Sequence, residues 1–211
     1  MKLNQTLIPM KKILLSAMIL LLSGTGILLF GQKIKSGSLA SLKGQTVVNI
    51  QYDYTGMSVG KFENEADYVA KRTADMNRKE PGSGDTWAKA WVNDRTTRFH
   101  PMFIKNFNSA VNACGLTGTE GAADATYTLI IHTIFTEPGF NVGVTRQNAY
   151  INMEADLIET ANPSNLLCKI EYLRIQSVNM MGYDFDTGGR IQSCYDRAGD
   201  NIGKVICKNL K

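Results

Sequence analysis

Glu154 and Asp156 stand two residues apart in AYINMEADLIET, a run in which apolar and polar residues alternate. A period of two puts both carboxylates on one face of a strand, about 7 Å apart. A pair at that spacing could supply the acid and base of glycoside hydrolysis. The alternative is a polar outer face shared with Lys169 and Glu171 of the next strand, since nothing in the sequence enforces a shifted pKa. Asp184, Asp186, Gly188 and Gly189 have the spacing of the opening of a calcium loop. The twelfth position, where such a loop needs glutamate, is Tyr195. A turn capping the next helix accounts for the same residues.

His100 and His132 are the only histidines, too far apart in sequence to suggest a metal cluster. Gly115, Gly118 and Gly121 lead into a strand, whereas a phosphate loop needs a helix N-terminus. No catalytic residue, cofactor or metal is therefore expected. Trp87 and Trp91 share a helix face at i,i+4 and are the candidate interface residues. The competing reading is that they pin their helix to the core.

The four cysteines are Cys114, Cys168, Cys194 and Cys207, with no C-x-x-C pair to suggest zinc or thioredoxin-like chemistry. Cys194 and Cys207 fall on one expected helix, about 20 Å apart, too far to bond each other. Cys207 could reach Cys168 or Cys114, and Cys168–Cys207 is singled out as a possible disulfide. Buried free thiols are the alternative.

These residues need elements to hold them. Residues 45–55, 126–136, 149–160 and 167–179 read as strands, from alternation and from β-branched and aromatic content. Residues 62–78 read as a helix carrying Asp67–Lys71 and Asp75–Lys79 pairs. The break at 79–85 ends it, with Asp85 as the next N-cap. A second helix from Thr86 to about Ala113 should kink at Pro101 and stop at Gly115. Residues 190–210 form a final amphipathic helix with a stripe of Ile191, Tyr195, Ala198, Ile202, Val205, Ile206 and Leu210. The expected fold class is α+β: a mainly antiparallel sheet of about four strands, helices on one face, and the C-terminal helix closing the fold.

The chain has 211 residues, 44% of them hydrophobic and 20% charged, which is ordinary for a globular domain. Its start, with Lys11 and Lys12 before an apolar run from Ile13 to Phe30, reads as a signal peptide over 1–31, cut between Gly31 and Gln32. The alternative is an uncleaved anchor, since eighteen residues span about 27 Å. Residues 32–44 read as a linker and 45–211 as a single domain with a helical insert at 62–95. Without the first 31 residues, 20 basic and 19 acidic residues remain. So even a balance gives no electrostatic case for nucleic acid.

Three stretches carry a resemblance: the strand ADATYTLIIHTIF after a helix ending in ACG, the strand AYINMEADLIET, and a late helix after GGR. Residues 44–210 resemble the small α+β domains of bacterial envelope accessory proteins, among them the periplasmic domain of the curli-secretion channel family and its auxiliary lipoproteins. The GKF and KEPGSGD wording is similar to that of exported proteins from Bacteroides-type bacteria. The resemblance implies an accessory role and brings no catalytic motif. This chain departs from it in having no lipidation cysteine and in carrying the insert at 62–95.

The expected function is thus an exported, periplasmic or envelope-associated, non-enzymatic protein that binds a protein or an envelope component. Membrane association is expected only through an uncleaved signal segment or a partner. The alternatives are an envelope-polymer hydrolase using Glu154 and Asp156, or a calcium- or small-ligand-binding module.

Overall fold

A computed structural model describes residues 32–178 and 186–211. The signal segment expected over 1–31, and Asp184 of the calcium reading, lie outside the described residues.

The helical insert begins where Asn64 caps the backbone N–H of Asp67, opening α1 (Glu65–Lys79). Its ion pairs are not those expected: Asp75 binds Lys71 and Arg78 instead. α2 (Ser83–Asp94) starts at Gly82, and Asp85 lies in its first turn rather than at the cap. α2 passes through a π turn, Arg95–Phe99, into α3 (His100–Val111). Pro101 is the cause. It has no N–H to give, and its ring crowds the carbonyl four residues back. The turn before it widens, and the N–H of His100 reaches the carbonyl of Arg95, five residues away. Gly115, at φ +76, ends the helical stretch in the left-handed region that glycine tolerates best.

The strands are β1 (Gln32–Gly37), β2 (Val47–Asp53), β3 (Ser58–Val59), β4 (Thr117–Glu120), β5 (Tyr127–Glu137), β6 (Phe140–Asn141), β7 (Arg146–Gln147), β8 (Tyr150–Glu159) and β9 (Asn162–Gln176). The expectation of about four antiparallel strands is corrected. The main sheet has seven strands in the order β1-β9-β8-β5-β2-β4, with β3 on the far end of β5. Pairs β1/β9, β9/β8 and β8/β5 are antiparallel, while β5/β2, β2/β4 and β3/β5 are parallel. Parallel neighbours need a crossover of a dozen or more residues, and the insert with α3 supplies it between β2 and β4. Residues 32–44, expected to be a linker, instead hold the edge strand β1 and a 3-10 turn at Ala40–Leu42. β6 and β7 form a separate small hairpin.

α4 (Thr187–Leu210) closes the fold as expected. The core is one cluster. Val48, Ile50, Leu129, Ile131, Met153 and Leu157 of the sheet meet Phe103, Phe107, Ile202 and Ile206 of α3 and α4. α3 and α4 run parallel at very short range. A Cβ on Gly199 would lie 2.3 Å from the carbonyl oxygen of Phe103, and one on Gly203 would lie 2.9 Å from that of Phe107. Continued in step, this register brings Cys114 beside Cys207, where they form a disulfide with Cα atoms 5.6 Å apart. Of the two partners open to Cys207, it is Cys114 and not Cys168 that pairs with it. Cys168 lies on β9 between Leu157 of β8 and Gly37 of β1, and both it and Cys194 are buried free thiols.

Candidate functional site

The paired carboxylates lie on the sheet face that points away from the core cluster. Glu154 and Asp156 both meet Lys169 of β9, with Nζ at 2.6 Å from Glu154 Oε2 and 3.1 Å from Asp156 Oδ1. His132 of β5 bridges to β2: its Nδ1 is 2.8 Å from Asp53 Oδ2, and its Nε2 is 3.6 Å from Asp156 Oδ2. Burial pulls the Lys169 ammonium down, but the two carboxylates outweigh it and hold its pKa above the usual lysine value. Burial likewise opposes ionisation of Asp53, yet hydrogen bonds from Thr55 and His132 keep its carboxyl below the ordinary range. These are groups that neutralise one another across neighbouring strands, as cross-strand pairs do. They line a pleated face of the sheet.

The two tryptophans part company. Trp91 is 8% exposed and its indole N–H donates to Glu65 Oε1 at 2.5 Å. Glu65 also binds Arg95, whose guanidinium sits 4.0 Å over the Tyr54 ring. Trp91 is thus a pin between α1, α2 and the π turn. Trp87 is half-buried, edge-on to Tyr68 with ring centroids 5.8 Å apart, and carries the Arg72 guanidinium over its ring at 5.9 Å from the centroid.

Trp87 also opens onto a cleft of about 280 Å3 between the insert and the start of α4. Arg72, Ala90, Trp91, Asp94, Arg98 and Asp186 are among the other residues of its wall. Arg98 clamps the far side, 3.1 Å from Asp94 and in direct contact with Asp186. Asp186 is at once the N-cap of α4, accepting from the N–H of Gly188 at 3.0 Å. Burial raises the pKa of Asp94 and outweighs Arg98. For Asp186 burial is overcome by the hydrogen bond and charge of Arg98, and the carboxyl is held low. Asp186 is therefore committed to a cap and a guanidinium, not to a calcium loop. Among the described residues Arg72 has no carboxylate within ion-pair distance, which leaves one uncompensated cation beside an aromatic ring.

A second feature was not foreseen. Buried Thr133 and Tyr195 share a hydrogen bond of 2.6 Å, Tyr195 bonds Tyr54 at 3.3 Å, and Tyr54 bonds His100 Nε2 at 3.1 Å. His100 stacks on Tyr52 at 3.6 Å between centroids, and Glu120 lies 3.3 Å from its Nδ1. Burial raises the pKa of all three tyrosines, that of Tyr195 to about 12, and lowers that of His100 against the pull of Glu120. The chain of groups runs from the core to the β4 edge.

Sequence reasoning found Trp87 but not Arg72, Asp94 or Arg98. The i,i+4 spacing of Asp94 and Arg98 was a usable signal. Nothing local connects Arg72 to Trp87, fifteen residues on.

No family model and no curated protein matches the chain. Among solved structures it is similar to the PelC dodecamer from Paraburkholderia phytofirmans, at 10% identity and a TM-score of 0.36, over 82% of this chain and 98% of that one. It is also similar to a neuraminyllactose-binding hemagglutinin homolog from Helicobacter pylori, at 9% identity and a TM-score of 0.29, over 86% and 93%. These are weak neighbours, and at such scores the likeness carries no argument about fold or function.

Proposed function

We propose that this chain is an exported accessory protein of the cell envelope, without catalytic activity of its own, that binds a partner protein through the cleft between its helical insert and α4. The observation that carries this reading is Arg72. It stands beside a half-exposed Trp87 at the mouth of a concave site and, among the described residues, has no carboxylate within ion-pair distance. A cleft of about 280 Å3 is at the bottom of the range of small-molecule sites, roughly 300–1,000 Å3. It suits one or two side chains of a partner better than a whole cofactor. An acidic side chain would satisfy Arg72 while an apolar neighbour covers Trp87, a combination typical of interface anchors. The Cys114–Cys207 disulfide fits an oxidising compartment. The carboxylates of the hydrolase reading are tied to Lys169 on a pleated face, so no observation favours that reading.

The test is crosslinking in cells followed by affinity capture of the full-length tagged protein, with Arg72→Glu and Trp87→Ala alongside. Both side chains lie at the surface of the insert, and circular dichroism checks that the fold persists. The expected result is a reproducible crosslinked protein that falls about tenfold or more with Arg72→Glu, as for loss of a hydrogen-bonded charge contact. Equal capture by all three proteins, or none by the native chain, overturns the proposal.

A further inference from the structure

His100 is a buried titratable group that the partner cleft does not use. It opens α3, directly after the π turn, and side chains from across the fold meet around it. Its ring lies flat against Tyr52 of β2, and its backbone carbonyl accepts from the Tyr52 hydroxyl at 3.3 Å. Glu120 of β4 faces one ring nitrogen, with Oε1 3.3 Å from Nδ1. Tyr54, just past β2, faces the other, with its hydroxyl 3.1 Å from Nε2. These neighbours assign the two nitrogens different roles. A carboxylate only accepts, so Nδ1, facing Glu120, carries the hydrogen of the neutral ring. The other end gives the same answer independently. Tyr195 donates to the Tyr54 oxygen at 3.3 Å. The Tyr54 hydrogen is then free to turn to Nε2, which acts as the acceptor. With its own hydrogen given to Tyr54, Tyr195 accepts from Thr133 at 2.6 Å.

The hydrogen bonds from Thr133 through Tyr195 and Tyr54 thus all point one way and end on the lone pair of His100 Nε2. Bonds in such a chain polarise and strengthen one another. Burial keeps the tyrosine hydroxyls protonated, so bond direction can change along the chain while its charge does not. A proton taken from solvent by His100 goes to Nε2, the one lone pair of the neutral ring. Nε2–H then donates where Nε2 had accepted. The Tyr54 hydrogen must leave, and its hydrogen-bonded neighbour is the Tyr195 oxygen. Tyr195 turns its own hydrogen to Thr133, and the chain runs backwards to a residue 1% exposed in the core. One proton is gained and every hydroxyl keeps its own. We infer that His100 is the sensing end of a pH-sensitive switch: its protonation reverses the hydroxyl bonds of Tyr54 and Tyr195 and carries an event at the β4 edge to the contact of α4 with β5. Burial opposes the added charge, Glu120 favours it, and Arg95 of the π turn, stacked over Tyr54, opposes it again. The ring therefore changes state below the ordinary histidine value of about 6.5. The switch does not rest on the partner cleft.

The test is nuclear magnetic resonance on the full chain, labelled with 15N in histidine and with 13C at the tyrosine ζ carbon. His100 and His132 are the only histidines, so His132→Gln assigns the ring signals. Two-bond proton–nitrogen correlations should show His100 in the Nδ1–H form at neutral pH. On acidification the Tyr195 ζ carbon, which senses whether its hydroxyl donates or accepts, should shift with the same midpoint as the His100 ring. In His100→Gln that step should vanish. In Tyr195→Phe the His100 midpoint should rise by roughly half a pH unit, because the chain that opposes protonation is cut. An Nε2–H ring at neutral pH overturns the proposal. So does a Tyr195 carbon that stays flat while His100 titrates, a result that needs only the native protein.

Discussion

His100 shows how a residue can be unremarkable in sequence and constrained in structure. It reads as a histidine before a proline. In the fold it is sealed between Tyr52 and Tyr54, and burial lowers its pKa below the ordinary value of about 6.5. The groups facing it are Glu120, which pulls the other way, and Arg95, which adds to the depression. Unfolding lets it take up a proton, so between the two pKa values the unfolded state binds more protons. Stability from this group is complete above about pH 6.5 and is lost as pH falls through the folded value. Urea midpoints should therefore drop on acidification below about pH 6.5, and His100→Gln should flatten that slope. An unchanged slope would show that another group titrates. The depressed carboxyls Asp53 and Asp186 act only at lower pH, near and below the carboxylate range. A second expectation concerns the thiols. Burial raises the Cys168 pKa, and that of Cys194 to about 12, so neither is a ready nucleophile. Iodoacetamide should label both only after denaturation, and rapid labelling of the native protein would contradict their burial. Glu154, Asp156 and Lys169 were legible as one polar face because strand alternation is local. The Arg72–Trp87 contact was not, because it depends on how two helices pack.

Elements with a strong period were readable and those without one were not. The alternation around β5 and β8, and the stripe of α4, carry their burial pattern in the sequence. β4 reads TGTE and β1 QKIKSG, with too few apolar residues to show a period. Both exist because a neighbouring strand offers them hydrogen bonds, which is information held elsewhere in the chain. The strand pairing of β2 was likewise hidden. Its alternation is the same whether its neighbours are parallel or antiparallel, and only the crossover settles it. The α3–α4 contact gives a sharp prediction. Gly203→Leu must drive a branched side chain into the backbone of α3 and should cost about 3 kcal/mol or more in urea unfolding, at or above the usual overpacking penalty. Gly189→Ala, on the same helix where the nearest atom is 3.4 Å away, should be neutral or stabilising by up to about 1 kcal/mol. Equal effects of the two would mean that the close approach is not what the glycines serve.

Across the whole molecule, the disulfide and the helical insert define the division of labour. Cys114–Cys207 closes a span of 93 residues that contains β4, β5, β8, β9 and nearly all of α4. Cross-linking a loop of that size limits the unfolded chain by about 4 kcal/mol in the loop-entropy account. Cys207→Ser should lower the melting temperature clearly and Cys168→Ser only as a core substitution does, with peptide mapping under non-reducing conditions recovering the 114–207 link. The pairing was open in sequence because spacing alone allowed two partners for Cys207, and only the parallel register of α3 and α4 chooses between them. With that frame locked, the cleft of the insert beside α4 is where the proposed partner binds. The most direct measurement is a photo-crosslinking residue at Ala90, exposed on the cleft wall, compared in cells with the same residue at Lys43. A discrete protein adduct from Ala90, absent from Lys43 and abolished by Arg72→Glu, is the predicted result. Adducts of equal yield at both positions, or none at Ala90 while the protein remains folded and exported, would contradict it.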